Sequence, residues 1–416
     1  MVNKTGVNGI NNGTKPPDDI LEPALRDFAR RQLSVKTRLA ELSRKYGYVI
    51  TKNTLGKLNR QFNIPSVRHP PPLPVITALV ADKIDEDVLG LHGPTTIQRQ
   101  IARETGIPVP RDTVRILAHA CDPAGPERRF PGRKKKLKPR GQLKAVGIME
   151  EVHCDGHEKL GAKALMMGDV GIAIYAFRDH TGEVRVRHSR SGNPLIGHVY
   201  LDFVERTGKT PIQLTFDCGT ETGRMKALHE ELRRQLLPEL TEFERPPTVA
   251  MKSTDNIPIE SCWSYWQDYC GRNIKAVILH GHANGWFASA NRNHVHLFQW
   301  LWSRIVQTHL NAFQDYWNTT PRRRQVEKLL PTAAPEMVAA YPEEHQLEDC
   351  GIPVPKDLIQ QLRMHLALPR EEVMRWVPDD FDVLAEAAYD AIGAPTLNFR
   401  TGWDTFKEMI VLIEAL

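Results

Sequence analysis

Cysteine is scarce in this chain, and it is never paired. The six residues Cys121, Cys154, Cys218, Cys262, Cys270 and Cys350 include no Cys-x-x-Cys. That scatter excludes a zinc ribbon and a disulfide framework, and it fits a reducing compartment, nuclear or cytoplasmic. Long apolar runs are also missing. The stretch "KALMMGDVGIAIYAF" is broken by charge and glycine well before the roughly 20 residues a bilayer demands, so no membrane span is expected. The opening "MVNKTGVNGINNGTKPPDD" has no apolar segment of the kind a secretory signal needs, and it is rich in Asn, Gly and Pro. Residues 1–21 read as a disordered leader.

What is present is ordinary globular composition, 41% hydrophobic and 25% charged over 416 residues, enough for two to four domains. The net charge of +5 conceals an asymmetry. Residues 331–416 hold 6 Lys and Arg against 16 Asp and Glu, about −10, which leaves about +15 for the first 330. The first part is suited to a polyanion and the acidic tail is not.

Residues 22–66 contain "SVKTRLAELSRKYGYVITKNTLGKLNRQF". Leu39 and Leu42, then Leu55, Leu58 and Phe62, mark two short amphipathic helices around a turn at Gly47, with Thr51 as N-cap of the second. After the connector "RHPPPLP" a related phrase, "TTIQRQIARETGIPVPRDTVRIL", defines a second helix-turn-helix-like module over 75–121. The second helix of each copy carries basic residues on its polar side: Lys52, Lys57 and Arg60, then Arg111 and Arg115. Such a face meets phosphates when a helix enters a major groove; a solvated face is the competing meaning. The linker at 122–146 includes "ERRFPGRKKKLKPRGQLK". Its Arg133, Lys134, Lys135 and Lys136 lack apolar periodicity and read as an arm that neutralises phosphates. Its composition is also that of a nuclear import signal, which favours the nucleus.

From residue 147 the texture changes. "IMEEVHCD", "VGIAIYAFRD", "EVRVRHSR", "PIQLTFD" and "TVAMKST" are short and β-rich, and the later ones are separated by helical segments. Three strands, then helix, strand, helix, strand, helix imply an α/β core with a mixed sheet flanked by helices. Two of the strands end in aspartate, Asp155 and Asp217. Carboxylates at the ends of buried strands are costly unless paired or bound to a cation. Side by side they would repel, so Mg²⁺ or Mn²⁺ suits them. Glu260, at the start of the helix in "STDNIPIESCWSYW", supplies a third carboxylate. Two metals in such a site suit in-line displacement at a phosphodiester.

The ordered set "HCDGHEKL", "GDVGIAIYAFRDHTGEV", "FDCGTETG" and "IPIESCWSYW" resembles the retroviral-type integrase core, specifically the integrase core domain proteins of transposon-derived genes in fungi and animals. "NHVHLFQWLW" and "FQDYWNTTPRR" are similar to the helical end of that core, and the resemblance spans about three quarters of the chain. It implies an RNase H-like fold with a five-stranded sheet over 147–335. It also implies that Asp155, Asp217 and Glu260 are the metal ligands of a DDE-type strand-transfer site using two Mg²⁺ or Mn²⁺ ions. Double-stranded DNA is the implied partner, and a homo-oligomer the implied assembly. The chain departs from the family in "CGTETG" after the second aspartate and in the 42 residues between Asp217 and Glu260. The loop "LLPELTEFERPP" accounts for the extra length. Either departure is compatible with a domesticated, catalytically silent DNA-binding protein; a plain RNase H-like nuclease is a weaker alternative.

Neighbouring residues compete for roles. Asp179 in "FRDHTG" is what a hairpin turn uses, and Asp255 is an alternative third ligand or a helix cap. His157 and Lys159 are placed to touch a scissile phosphate or simply to end a strand. Asn256 either orients substrate or finishes a loop. Cys154 and Cys218 beside the aspartates read as small space-filling thiols. His280, His282, His294 and His296 lack a partner pair at zinc-finger spacing and read as ordinary helix-end and core histidines. The zinc module of retroviral integrases is absent, with the helix-turn-helix repeats in its place. Trp263, Trp266, Trp300, Trp302 and Trp317 fall at helical spacing and read as core. Residues 336–416 read as an acidic helical extension, whose charge argues against DNA contact.

Overall fold

The computed structural model describes residues 13–129, 145–189, 193–217, 222–252, 255–322 and 329–415. Arg133, Lys134, Lys135, Lys136 and Cys218 lie outside them. The chain divides into two compact units, residues 1–136 and 137–416. Among the described residues no helix is long and apolar enough to cross a membrane.

The first unit is all helical. Helices α1 (Asp18–Arg30), α2 (Val35–Tyr46) and α3 (Lys52–Gln61) close around Leu21, Leu25, Phe28, Leu42, Leu55 and Leu58. Ser34 and Thr51 cap α2 and α3, their hydroxyls accepting from the amides of Thr37 (3.1 Å) and Thr54 (3.3 Å). Gly47 ends α2 at φ +62°, a left-handed conformation that glycine adopts without cost. A second trio, α4 (Leu73–Glu86), α5 (Pro94–Thr105) and α6 (Arg111–Cys121), encloses Ile76, Val80, Ile97, Ile101 and Val114. Each module therefore holds one helix more than the two the turn pattern predicts, because two short amphipathic helices leave an apolar face that a third must cover. The leader expected through residue 21 gives way to α1 at Asp18, which buries Leu21 completely.

The second unit is built on a five-stranded mixed sheet. In chain order the strands are β1 (Glu151–His157), β2 (Ala173–Asp179), β3 (Val184–Ser189), β4 (Gln213–Asp217) and β5 (Thr248–Met251). Their spatial order is β3-β2-β1-β4-β5. The pairs β1–β2 and β2–β3 are antiparallel, while β1–β4 and β4–β5 are parallel. The parallel crossovers run through α7 (Asn193–Thr207) and α8 (Gly223–Leu236).

Alternation of side chains along each strand sorts the two faces. Val152, Cys154, Leu214 and Phe216 join the core that contains residues of α7 and α8. Asp155 and Asp217, one position further along their strands, face the other way. That second face is covered by α9 (Ile257–Trp266), a π-helical turn at Gln267–Gly271, α10 (Arg272–Ala283) and the 28-residue α11 (Arg292–Thr319). Helix α11 lies along the outer strand β3, where the Asn318 amide donates to the Val184 carbonyl (2.8 Å) and accepts from its amide (2.9 Å). At Val184 this takes up backbone groups that an edge strand would otherwise offer to another chain.

The acidic extension is woven into this unit. Glu348–Asp349 pairs with Gly147–Ile148, and Ile352–Pro353 with Lys209–Thr210. Helix α12 (Lys356–Met364) packs on α7, while α13 (Asp379–Ala391) and α14 (Gly402–Glu414) extend the core around α11 with Phe381, Trp403, Phe406 and Met409.

Candidate metal centre

The parallel register pairs Cys154 of β1 with Phe216 of β4, so Asp155 and Asp217 follow at the same level on adjacent strands. Helix α9 begins beside them. Asn256 is its N-cap residue, Pro258 sits in the first turn where no amide is needed, and Glu260 also lies in that turn. Asp155, Asp217 and Glu260 each offer a ligand atom, and these atoms lie within 4.8 Å of one another. Three separate stretches of chain thus bring three hard oxygen donors together, a donor set that fits Mg²⁺ or Mn²⁺. Asp255 stands exposed just before the cap and is not part of the cluster.

The electrostatics match this reading. Burial pushes the Asp155 carboxyl up to about 7; the negative charges of Asp217 and Glu260 add to the rise, and the indole N–H of Trp263 opposes it. A divalent cation among the three would remove the repulsion and restore the carboxylate.

Neutral donors hold two of the carboxylates in place. Trp263 Nε1 donates to Asp155 Oδ2 (2.9 Å). The Asn256 side chain, fully buried, donates to Asp217 Oδ1 (3.3 Å) and to the Cys154 carbonyl (3.4 Å), while its oxygen accepts from His153 Nδ1 (2.9 Å). It ends the loop before α9 as its N-cap and is buried rather than facing solvent. Arg178 of β2, also buried, donates to the Pro258 carbonyl and to Ser261 Oγ, fixing the first turn of α9 to the sheet.

His157 stacks on Trp263 with ring centroids 4.7 Å apart, and its Nε2 accepts from the Gln267 amide (2.6 Å). The π-helical turn carries Gln267 to it, and such turns recur at functional sites. Burial pushes His157 down to about 4, with Lys159 adding to the effect, so it is neutral at physiological pH. Lys159 itself is exposed, as are Lys52, Lys57, Arg60, Arg111 and Arg115 on α3 and α6. Of these, Arg111 donates to Thr95 Oγ1 (3.1 Å), and Arg111 and Arg115 both lie near Asp112.

No family model matches the chain, and no curated protein matches it either. Among solved structures, a chain in the cryoEM structure of the simian T-cell lymphotropic virus intasome in complex with PP2A regulatory subunit B56 gamma aligns at a TM-score of 0.27 and 10% identity. The alignment covers 60% of this chain and 72% of that one. A likeness of that size carries no argument, so the reading of the site rests on its own geometry.

The remaining candidates fall into place around it. Asp179 closes the β2–β3 turn, accepting from the amides of Thr181 (2.8 Å) and Met149 (2.6 Å). Cys154 and Cys262 are buried, and burial raises both thiols, Cys262 to about 12, so neither is a nucleophile. His280, His282, His294 and His296 sit edge-on against Trp286, Phe287, Phe406 and Phe381. The five tryptophans are buried. Trp263 has a second role that helical spacing does not reveal, although its place one turn after Glu260 is a signal once Glu260 is a candidate ligand.

Proposed function

We propose that the chain is a DDE-type integrase or transposase-like protein, with an RNase H-like core that cuts and joins DNA strands at Asp155, Asp217 and Glu260. The observation that carries the reading is the convergence of those three ligand atoms within 4.8 Å from β1, β4 and the first turn of α9. The chain order of three strands, then helix, strand, helix, strand and helix, agrees with the order that the resemblance implies. When bound, Mg²⁺ or Mn²⁺ ions supply positive charge to the attacking and leaving oxygens of a phosphodiester. The chain's own share is positioning. Trp263 aims Asp155, Asn256 aims Asp217, and Arg178 holds the turn that presents Glu260. Water is the nucleophile for cleavage and a DNA 3′-hydroxyl for joining. The exposed basic faces of α3 and α6 support duplex DNA as substrate.

The test is Mn²⁺-dependent cleavage of supercoiled plasmid, followed by a strand-transfer assay, with Asp155→Asn, Asp217→Asn and Glu260→Gln beside the wild type. Cleavage and joining by the wild type alone support the reading. Cleavage without joined products leaves a nuclease. Duplex binding without cleavage leaves a silent DNA-binding protein.

A further inference from the structure

A second group of ligating side chains lies on the same face of the sheet, behind Asn256. Glu151 and His153 alternate along β1, and His180 follows β2 in the turn that Asp179 closes. His153 Nε2 stands 3.0 Å from His180 Nδ1 and 3.5 Å from Glu151 Oε1, while Glu151 Oε2 is 3.6 Å from His180 Nδ1. Zinc–ligand bonds of about 2.0–2.1 Å in a tetrahedron separate neighbouring donors by about 3.3 Å. The two ring nitrogens, with one oxygen of the Glu151 carboxylate near each, stand close to that spacing, and one ligand atom from each residue lies within 4.8 Å of the others.

Protonation narrows the choice further. The Asn256 amide nitrogen faces two groups that only accept, the Cys154 carbonyl and Asp217, so its oxygen must face His153. The His153 proton is therefore on Nδ1, and Nε2 presents a lone pair toward a carboxylate. The outer contacts are those that metal ligands usually have: His153 donates its other N–H to a carboxamide, and Thr215 Oγ1 donates to Glu151 Oε1 (2.7 Å).

We propose that His153 Nε2, His180 Nδ1 and a Glu151 carboxylate oxygen form a binding site for Zn²⁺ or a similar borderline cation, separate from the three-carboxylate centre. Two imidazoles and one carboxylate favour such a metal over Mg²⁺. Through Nδ1 of His153, occupancy fixes the side chain of Asn256 and hence the donor to Asp217. The site stands whether or not the chain joins DNA. The competing arrangement is a plain imidazole–imidazole hydrogen bond, with Arg245, 3.9 Å from Glu151 Oε2 and 3.3 Å from Glu150, as counter-ion.

The test uses the full chain carrying Asp155→Asn, Asp217→Asn and Glu260→Gln together, stripped with chelator and then dialysed against Zn²⁺ or Co²⁺. The expected result is one retained equivalent, not displaced by excess Mg²⁺, and a Co²⁺ visible spectrum of low-coordinate form without thiolate charge transfer. His180→Ala and, separately, the near-isosteric Glu151→Gln should lose that equivalent while circular dichroism shows the fold retained. No uptake by the parent would overturn the proposal, as would uptake unchanged in both variants or a spectrum dominated by thiolate ligands.

Discussion

Asp155→Asn is expected to stabilise the metal-free protein at neutral pH. An ordinary aspartate ionises near 3.8, whereas burial and the charges of Asp217 and Glu260 push Asp155 up to about 7. The folded chain thus keeps a proton through a pH range in which the unfolded chain has lost it. The stability this group contributes is whole below about pH 4 and is lost as pH rises through about 7. Roughly 3 pH units at about 1.4 kcal/mol each set an upper bound of about 4 kcal/mol. Water reaches part of the group, so about 1–2 kcal/mol is the working figure. Asparagine removes the charge and keeps an oxygen for the Trp263 indole.

The assay is urea unfolding of both proteins in chelator at pH 5 and pH 8. The variant should exceed the wild type at pH 8 by about 1–2 kcal/mol, with a smaller gap at pH 5. Mn²⁺ should reverse the order, since a cation at 100 times its Kd adds about 2.7 kcal/mol to the wild type and nothing to the variant. A variant less stable than the wild type at pH 8 in chelator, or a gap equal at both pH values, would refute the account of Asp155 as a buried carboxyl among like charges.

Trp263→Phe keeps the aromatic packing and removes one hydrogen bond to Asp155; a stability loss of about 1 kcal/mol and weaker Mn²⁺ activation of cleavage are expected, read by urea melts and Mn²⁺ titration. Asn256→Ala deletes a fully buried side chain that serves three partners and should cost about 2–3 kcal/mol in the same melts. Replacing Lys52, Lys57 and Arg60 with alanine should weaken duplex binding and lower the slope of log K against log salt by about 0.9 for each phosphate no longer neutralised, measured by fluorescence anisotropy. Ending the chain after residue 335 removes Trp403, Phe406 and Met409 from the core around α11, so the truncated protein should be insoluble or show the spectroscopy of a loosened core.

The order of strands and helices was readable because periodicity is a local property. Five short β-rich runs, the later ones separated by helical segments, correspond to β1 through β5, and the long acidic stretch before "TVAM" is a loop of turns. Strand-end aspartates stood out because a charge in a buried run has a cost that needs a reason. A helix over residues 18–30 was not legible because α1 draws its buried apolar side chains from a sequence dense in charge, where Leu21, Leu25 and Phe28 are the large buried anchors. The supporting residues escaped for a different cause. Asn256 meets His153 across 103 positions and Trp263 meets Asp155 across 108, and no local pattern encodes a pairing of that range. Glu151, His153 and His180 were hidden in the same way, since two of them alternate on one strand and the third arrives only through the β2–β3 turn.

Two half-buried aspartates in the second unit show what distinguishes a structural carboxylate from one that awaits a ligand. Burial raises both. At Asp202 the guanidiniums of Arg370 (2.8 Å) and Arg363 (2.7 Å) outweigh it, and the carboxyl ends below its ordinary value. Those arginines come from the acidic extension, which is thereby tied to α7. At Asp155 the neighbouring charges of Asp217 and Glu260 are of the same sign, the donors among the described residues are the Trp263 indole N–H and the Gly156 amide, and the carboxyl ends high. Among the described residues neither Asp155 nor Asp217 is ion-paired to a lysine or arginine. A chain with 55 basic residues does not lack cations to spend there. It uses them to lock Asp202 and to hold α9 through Arg178, and among the described residues it sets none against Asp155 or Asp217. A fold that needed Asp155 only for stability would have paired it as it paired Asp202.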